Sequence, residues 1–121
     1  MICNVGDGKS SKPGLEKFAD WEKMIDVNLN SSINLITESL QSLKKTSGTI
    51  VCISSIAGIE TTDAPIPYSI AKSALNSYVK NSSRPFAKLG IRINAIAPGN
   101  ILFKGSVWEN KLKKNKKRVL D

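Results

Sequence analysis

The stretch Thr49–Lys72, TIVCISSIAGIETTDAPIPYSIAK, decides the fold. It opens with Thr49-Ile50-Val51-Cys52-Ile53, an unbroken β-branched and apolar run of strand length. A run that is apolar at successive positions suits a strand buried on both faces, and so a central strand of a parallel sheet. Ser54-Ser55-Ile56-Ala57-Gly58 leaves that strand, and a polar loop follows to Pro65. Pro67 suits the first turn of a helix, where its missing N–H costs nothing. The composition stays helical from Tyr68 to about Lys88, with Ala71, Ala74, Leu75, Tyr78 and Val79 on the apolar side. Pro85 predicts a kink or an early stop near the end of that helix.

On the C-terminal side, Gly90 closes the helix and Ile91-Arg92-Ile93-Asn94-Ala95-Ile96-Ala97 reads as a further strand, ended by Pro98-Gly99. On the N-terminal side, Trp21, Met24, Ile25, Val27, Leu29, Ile33, Leu35, Ile36 and Leu40 recur at spacings of three and four. They predict a long helix over 20–44, capped by Asp20, with an apolar face wide enough to be covered on two sides. Met1-Ile2-Cys3-Asn4-Val5 reads as the end of a strand. Strand, helix, strand, helix, strand is the order of an open α/β sheet with parallel strands. Ligands in such sheets bind beyond the carboxyl ends of the strands. That nominates the segments Asn4–Ser10, Ser54–Gly58 and Pro98–Ile101 as the place for a site.

Composition narrows the function. The chain of 121 residues has one domain's length, with 40% apolar and 23% charged residues, a folded balance. It contains no histidine, which excludes a histidine metal centre and a Ser-His-Asp triad. No apolar run reaches a membrane-spanning length, and the first residues lack the pattern of a secretory signal, so a cytoplasmic location is expected. Cys3 and Cys52 lack metal or redox spacing and read as two buried free thiols. The net charge of +8 is concentrated at the end, where Lys111, Lys113, Lys114, Lys116, Lys117 and Arg118 face one acid, Asp121. Residues 1–110 are therefore taken as the domain and 111–121 as a basic segment. No aromatics interleave in that segment to stack on bases, so it reads as a solvated end rather than a nucleic-acid contact.

Tyr68 and Lys72 stand four apart on one helical face. An ammonium beside a phenol favours the phenolate and suits the tyrosine to general acid–base work. Ser55, at the end of the preceding strand, can reach the same pocket.

Ser55, Tyr68 and Lys72, with their flanks IVCISSIAG and YSIAKSAL, resemble the short-chain dehydrogenase/reductase family. The strand and turn IRINAIAPG match the element that follows in that family. CNVG at Cys3–Gly6 is similar to its NNAG segment, and Asn28 in VNL to its helix asparagine. Within the family the likeness is of the 3-oxoacyl-carrier-protein reductase type. The resemblance implies a Rossmann-like, doubly wound parallel sheet, here incomplete: the family's first strands and its TGxxxGxG loop have no counterpart in these residues. It implies NAD or NADP as cofactor and a small-molecule carbonyl or alcohol as substrate. Tyr68 would handle the substrate proton, Lys72 would bind the nicotinamide ribose, Ser55 would polarise the carbonyl, and Asn28 would hold a water in the proton relay. Asn4 and Gly6 would line the cofactor groove, with Pro98 and Gly99 shaping its nicotinamide end. No metal is implied. A homo-oligomer joined through helices 20–44 and 68–88 is the expected assembly. The alternative is a truncated, non-catalytic fragment or a self-associating module. Phe103 stands near the place where many members carry a threonine after the Pro-Gly turn.

Overall fold

The computed structural model describes residues 1–114 of the chain. Its elements are β1 (Ile2–Cys3), α1 (Phe18–Ile25), a π-helical turn (Asp26–Asn30), α2 (Ser31–Lys45), β2 (Thr49–Ile53), a 3-10 turn (Ile56–Gly58), α3 (Ile66–Ala87), β3 (Arg92–Ile96) and α4 (Val107–Lys114). The three strands form one parallel sheet in the order β1-β2-β3. β2 is central, as its β-branched run predicts. Register pairs Cys3 with Cys52, and Cys52 with Ala95. The fold is thus α/β, a partial Rossmann-like sheet.

One core cluster draws Ile36 and Leu43 from α2, Leu75 and Val79 from α3, and Cys3, Ile50, Cys52 and Ile93 from the strands. Strand side chains alternate between faces, so these residues share one side of the sheet. Both helical layers therefore cover that side. On the other side Ile2 is 66% and Ile96 54% exposed, and Val51 and Ile53 are half-buried.

Several local expectations are corrected. The helix expected over 20–44 runs from Phe18 to Lys45 and widens into the π turn at Asp26–Asn30. Lys17, not Asp20, is its N-cap. Asp20 lies one turn inside, where its Oδ2 accepts the Lys17 N–H at 2.9 Å and the Ser11 hydroxyl at 2.8 Å. The apolar face of the helix meets α3 along α1 and the π turn and meets the strand core through Ile36 and Leu43, while Leu35 remains 43% exposed. The helix does not stop at Pro85, because α3 continues to Ala87. Pro85 removes one backbone bond where only two helical residues remain, so little helix is left to disrupt. Gly90, at φ 74°, then lets Ile91 N–H reach back to the Phe86 carbonyl at 2.9 Å, closing the helix end. Cys3 and Cys52 are free and buried, as expected. The proposed boundary at 110 falls within α4, and residues 115–121 of the basic segment lie outside the described residues.

Candidate active site

The parallel strands end on one edge, and the chain leaving each end stays close to its neighbour. Ser54 N–H donates to the Ile96 carbonyl at 2.8 Å, and Ile56 N–H to the Pro98 carbonyl at 3.0 Å. The ladder between β2 and β3 is thereby extended past the strands, and the Pro98-Gly99 turn is held against the residues around Ser55. Ser55 has extended backbone and caps the 3-10 turn, its Oγ accepting the Ala57 N–H at 3.2 Å. Ser54 is buried, and its hydroxyl donates to the Lys72 carbonyl at 3.3 Å.

Gly58 brings this loop onto α3. A Cβ at Gly58 would lie 2.7 Å from the Lys72 carbonyl carbon and 2.8 Å from the Ser73 nitrogen. Both are backbone atoms, so the close approach requires glycine. The Gly58 carbonyl accepts the Ser73 hydroxyl at 2.7 Å and the Asn76 amide at 3.3 Å.

Lys72 is 4% exposed, and its Nζ donates to the Ile53 carbonyl at 2.9 Å. Burial pulls its pKa below the usual lysine range, with a smaller upward pull from Cys52. The same Nζ stands 5.7 Å from the centre of the Tyr68 ring. Lys72 thus joins the end of β2 to the first turns of α3.

Asn28 is fully buried in the π turn. Its Oδ1 accepts the Asp7 N–H at 3.1 Å, and its Nδ2 donates to the Asp7 carbonyl at 2.8 Å and the Met24 carbonyl at 3.1 Å. The side chain therefore grips both polar groups of Asp7. The Asp7 carboxylate meets Lys23 at 3.0 Å and accepts the Lys9 N–H at 2.9 Å. The Lys9 backbone and Lys23 side-chain hydrogen bonds hold the Asp7 carboxyl below the usual range.

The gripped loop runs over the other candidates. A Cβ on Gly6 would meet Asn28 Oδ1 at 3.1 Å and Lys72 Nζ at 3.3 Å, and one on Gly8 would lie 3.8 Å from the Tyr68 ring. Gly6, Asn28, Lys72 and Tyr68 therefore converge at the carboxyl edge of the sheet, and Ser55 leaves β2 at the same edge. Pro98 is half-buried and Gly99 exposed, and a Cβ on Gly99 would lie 3.6 Å from Ile56 Cδ1. Asn4 is exposed just past β1, while Phe103 is 62% exposed on the segment before α4. Gly58, Asp7 and Gly8 lie in the nominated segments, but sequence reasoning assigned none of them a role. Gly58 left one trace, a glycine three residues beyond the serine that ends a strand. Asp7 and Gly8 left none, because their partners are distant in sequence. Among the described residues no group of three or more potential ligands could hold a metal ion.

A parallel α/β sheet with a tyrosine, a buried lysine, a serine and a buried asparagine gathered at its carboxyl edge defines a class: the Rossmann-like α/β proteins. Residues 1–115 match the short chain dehydrogenase family, and the chain belongs to that family. It is 30% identical over 102 residues to an uncharacterised oxidoreductase of Staphylococcus aureus, covering 84% of this chain and 44% of the relative. The structure of ElxO with NADP bound matches with a TM-score of 0.84 at 31% identity, over 95% of this chain and 46% of that one. A 3-oxoacyl-[acyl-carrier protein] reductase with bound NAD from Brucella melitensis matches with a TM-score of 0.78 at 28% identity, over 93% and 45%. The chain thus spans about half the length of these proteins.

Proposed function

We propose that this chain is the catalytic half of an NAD(P)-dependent oxidoreductase acting on a carbonyl or alcohol. One observation carries the reading: the buried Lys72 ammonium, the Asn28 amide and the Tyr68 ring converge on a loop that is bare of side chains at Gly6 and Gly8. An ammonium has three donors, and the Ile53 carbonyl engages one. A cradle of this kind fits the hydroxyls of a nicotinamide ribose, with Lys72 and the Gly6 backbone as its walls. Pro98, Gly99 and Asn4 would border the nicotinamide end. Neighbours in the family carry NADP in one case and NAD in another, which supports a nicotinamide cofactor without choosing between them.

When bound, the nicotinamide supplies or takes the hydride. In the direction of reduction, Tyr68 gives its hydroxyl proton to the substrate oxygen as charge develops there. Ser55 donates a hydrogen bond to that oxygen and fixes its direction. Lys72 places a positive charge beside the tyrosine, and Asn28 holds the loop and a relay water through which the proton is replaced. A 3-oxoacyl thioester is one carbonyl of the right class.

The test is calorimetric titration with NADH and NADPH, followed by turnover on a panel of ketones and 3-oxoacyl thioesters. Micromolar binding and carbonyl reduction are expected. Tyr68→Phe should keep cofactor affinity within about twofold while turnover falls at least ~100-fold. Absence of binding up to millimolar cofactor overturns the reading.

A second reading, a self-associating module, is favoured by a different observation. Phe18 is 76%, Ile70 48% and Ile66 43% exposed on the helical side, and Ile2 and Ile96 are exposed on the bare side of the sheet. Light scattering after size exclusion should show a dimer or larger assembly; a monomer at all concentrations removes this reading.

A further inference from the structure

We propose that Glu16 is a positioning residue that registers the loop 6–17 against the helix carrying Tyr68. The inference rests on the oxidoreductase reading above and adds a residue to its site.

Helix α3 starts without a cap of its own. Its N-cap is Pro65, which has no acceptor side chain, and Pro67 has no N–H. Ser69 N–H finds the Pro65 carbonyl at 3.0 Å. The N–H of Ile66 finds its acceptor 50 residues away, in Glu16 Oε1 at 2.9 Å. A carboxylate there also meets the positive end of a 22-residue helix. The other oxygen, Oε2, accepts the Gly14 N–H at 2.7 Å. Glu16 therefore closes its own loop and caps a distant helix with the same carboxylate.

That loop borders the site. Its near end is gripped at Asp7 by Asn28 and Lys23, its middle at Ser11 by Asp20, and its far end at Glu16 by α3. Between the first two points Gly8 lies against the Tyr68 ring. Tyr68 stands two residues beyond Ile66, within the turn that Glu16 caps. Glu16 thus sets the gap between the Tyr68 ring and the loop wall, along which a substrate oxygen reaches the phenol.

Amide hydrogen exchange, resolved by peptide mass spectrometry, tests this on the full chain without any need for turnover. In Glu16→Ala, exchange should rise about 2- to 30-fold in peptides spanning both 7–17 and 64–70, as for loss of a helix cap. Glu16→Gln keeps one acceptor oxygen and should fall between wild type and alanine. Adding Pro65→Ser to Glu16→Ala gives α3 a local acceptor for the Tyr68 N–H and should restore protection at 68–69 while the Ile66 amide and the loop stay fast. Unchanged exchange at 64–70 in Glu16→Ala overturns the proposal, and so does a uniform rise that includes 49–53. In cofactor-loaded protein, Glu16→Ala should lower kcat by about tenfold with KM within about twofold. A wild-type chain that binds no cofactor would sink the oxidoreductase reading alone, since the exchange pattern still decides whether Glu16 joins loop to helix. Equal kinetics in Glu16→Ala and wild type would sink the positioning role even if the cap is real.

Discussion

At Gly58 the constraint is steric. Any Cβ would press on the backbone of Lys72 and Ser73, which cannot rotate away. Gly58→Ala must push the loop behind Ser55 off α3, at a cost of about 1–3 kcal/mol in urea unfolding. Turnover should suffer beyond the stability loss, because Ser55 moves relative to Lys72. A variant as stable as wild type would show that the loop can yield. Asn28 works by hydrogen bonding instead. Asn28→Leu leaves both backbone groups of Asp7 without their buried partner and should destabilise by about 1–3 kcal/mol. A urea midpoint equal to wild type would contradict that. Ser55, Tyr68 and Lys72 were readable because helix period and strand end place them by local rules. Gly58, Asp7 and Glu16 were not, because each acts on a group 14 or more residues away, and no local pattern encodes the partner.

Among the elements, the central strand, its neighbour and the two long helices were legible from periodicity and β-branching. The π turn was not: one extra residue in a turn hardly disturbs apolar spacing, yet it is where Asn28 turns inward to Asp7. Pro85 does not stop the helix, since only two helical residues follow it. The pairing of β1 with β2 was also invisible, and it sets Cys3 directly beside Cys52. Burial pushes both thiols up, Cys52 to about 12. The folded state therefore holds these protons more tightly than the unfolded chain does. Its stabilising effect is whole below the ordinary thiol pKa and is lost as pH rises from there toward about 12. The urea midpoint should fall between about pH 9 and pH 11. Cys3→Ala/Cys52→Ala should show a shallower fall, with slopes compared rather than absolute stabilities. Parallel slopes would exclude the thiols as the cause.

For the whole molecule, the incomplete Rossmann-like sheet that the resemblance implies is present as three parallel strands, with α2 and α3 packed on the side of Cys52. The bare side carries Ile2 and Ile96, with Val51 and Ile53 half-covered between them. The likeness to solved family members extends over about 45% of their length. On the proposed self-association, Ile96→Lys puts a charge on that bare face and should shift light scattering toward monomer while leaving the melting temperature within a few degrees. An unchanged assembly would move the contact to the helical side, at Phe18 and Ile70.

The sheet also has a history in time. Thr49 lies 48 residues after Met1, whose ammonium bonds its carbonyl, and 43 residues before Arg92, whose guanidinium bonds its hydroxyl. No two neighbouring strands can meet as a hairpin; each must wait for a whole helix to be made and collapse. As the chain leaves a ribosome, Met1–Cys3 cannot pair with β2 until Thr49–Ile53 has followed it out. Slow translation between the two segments would lengthen that wait.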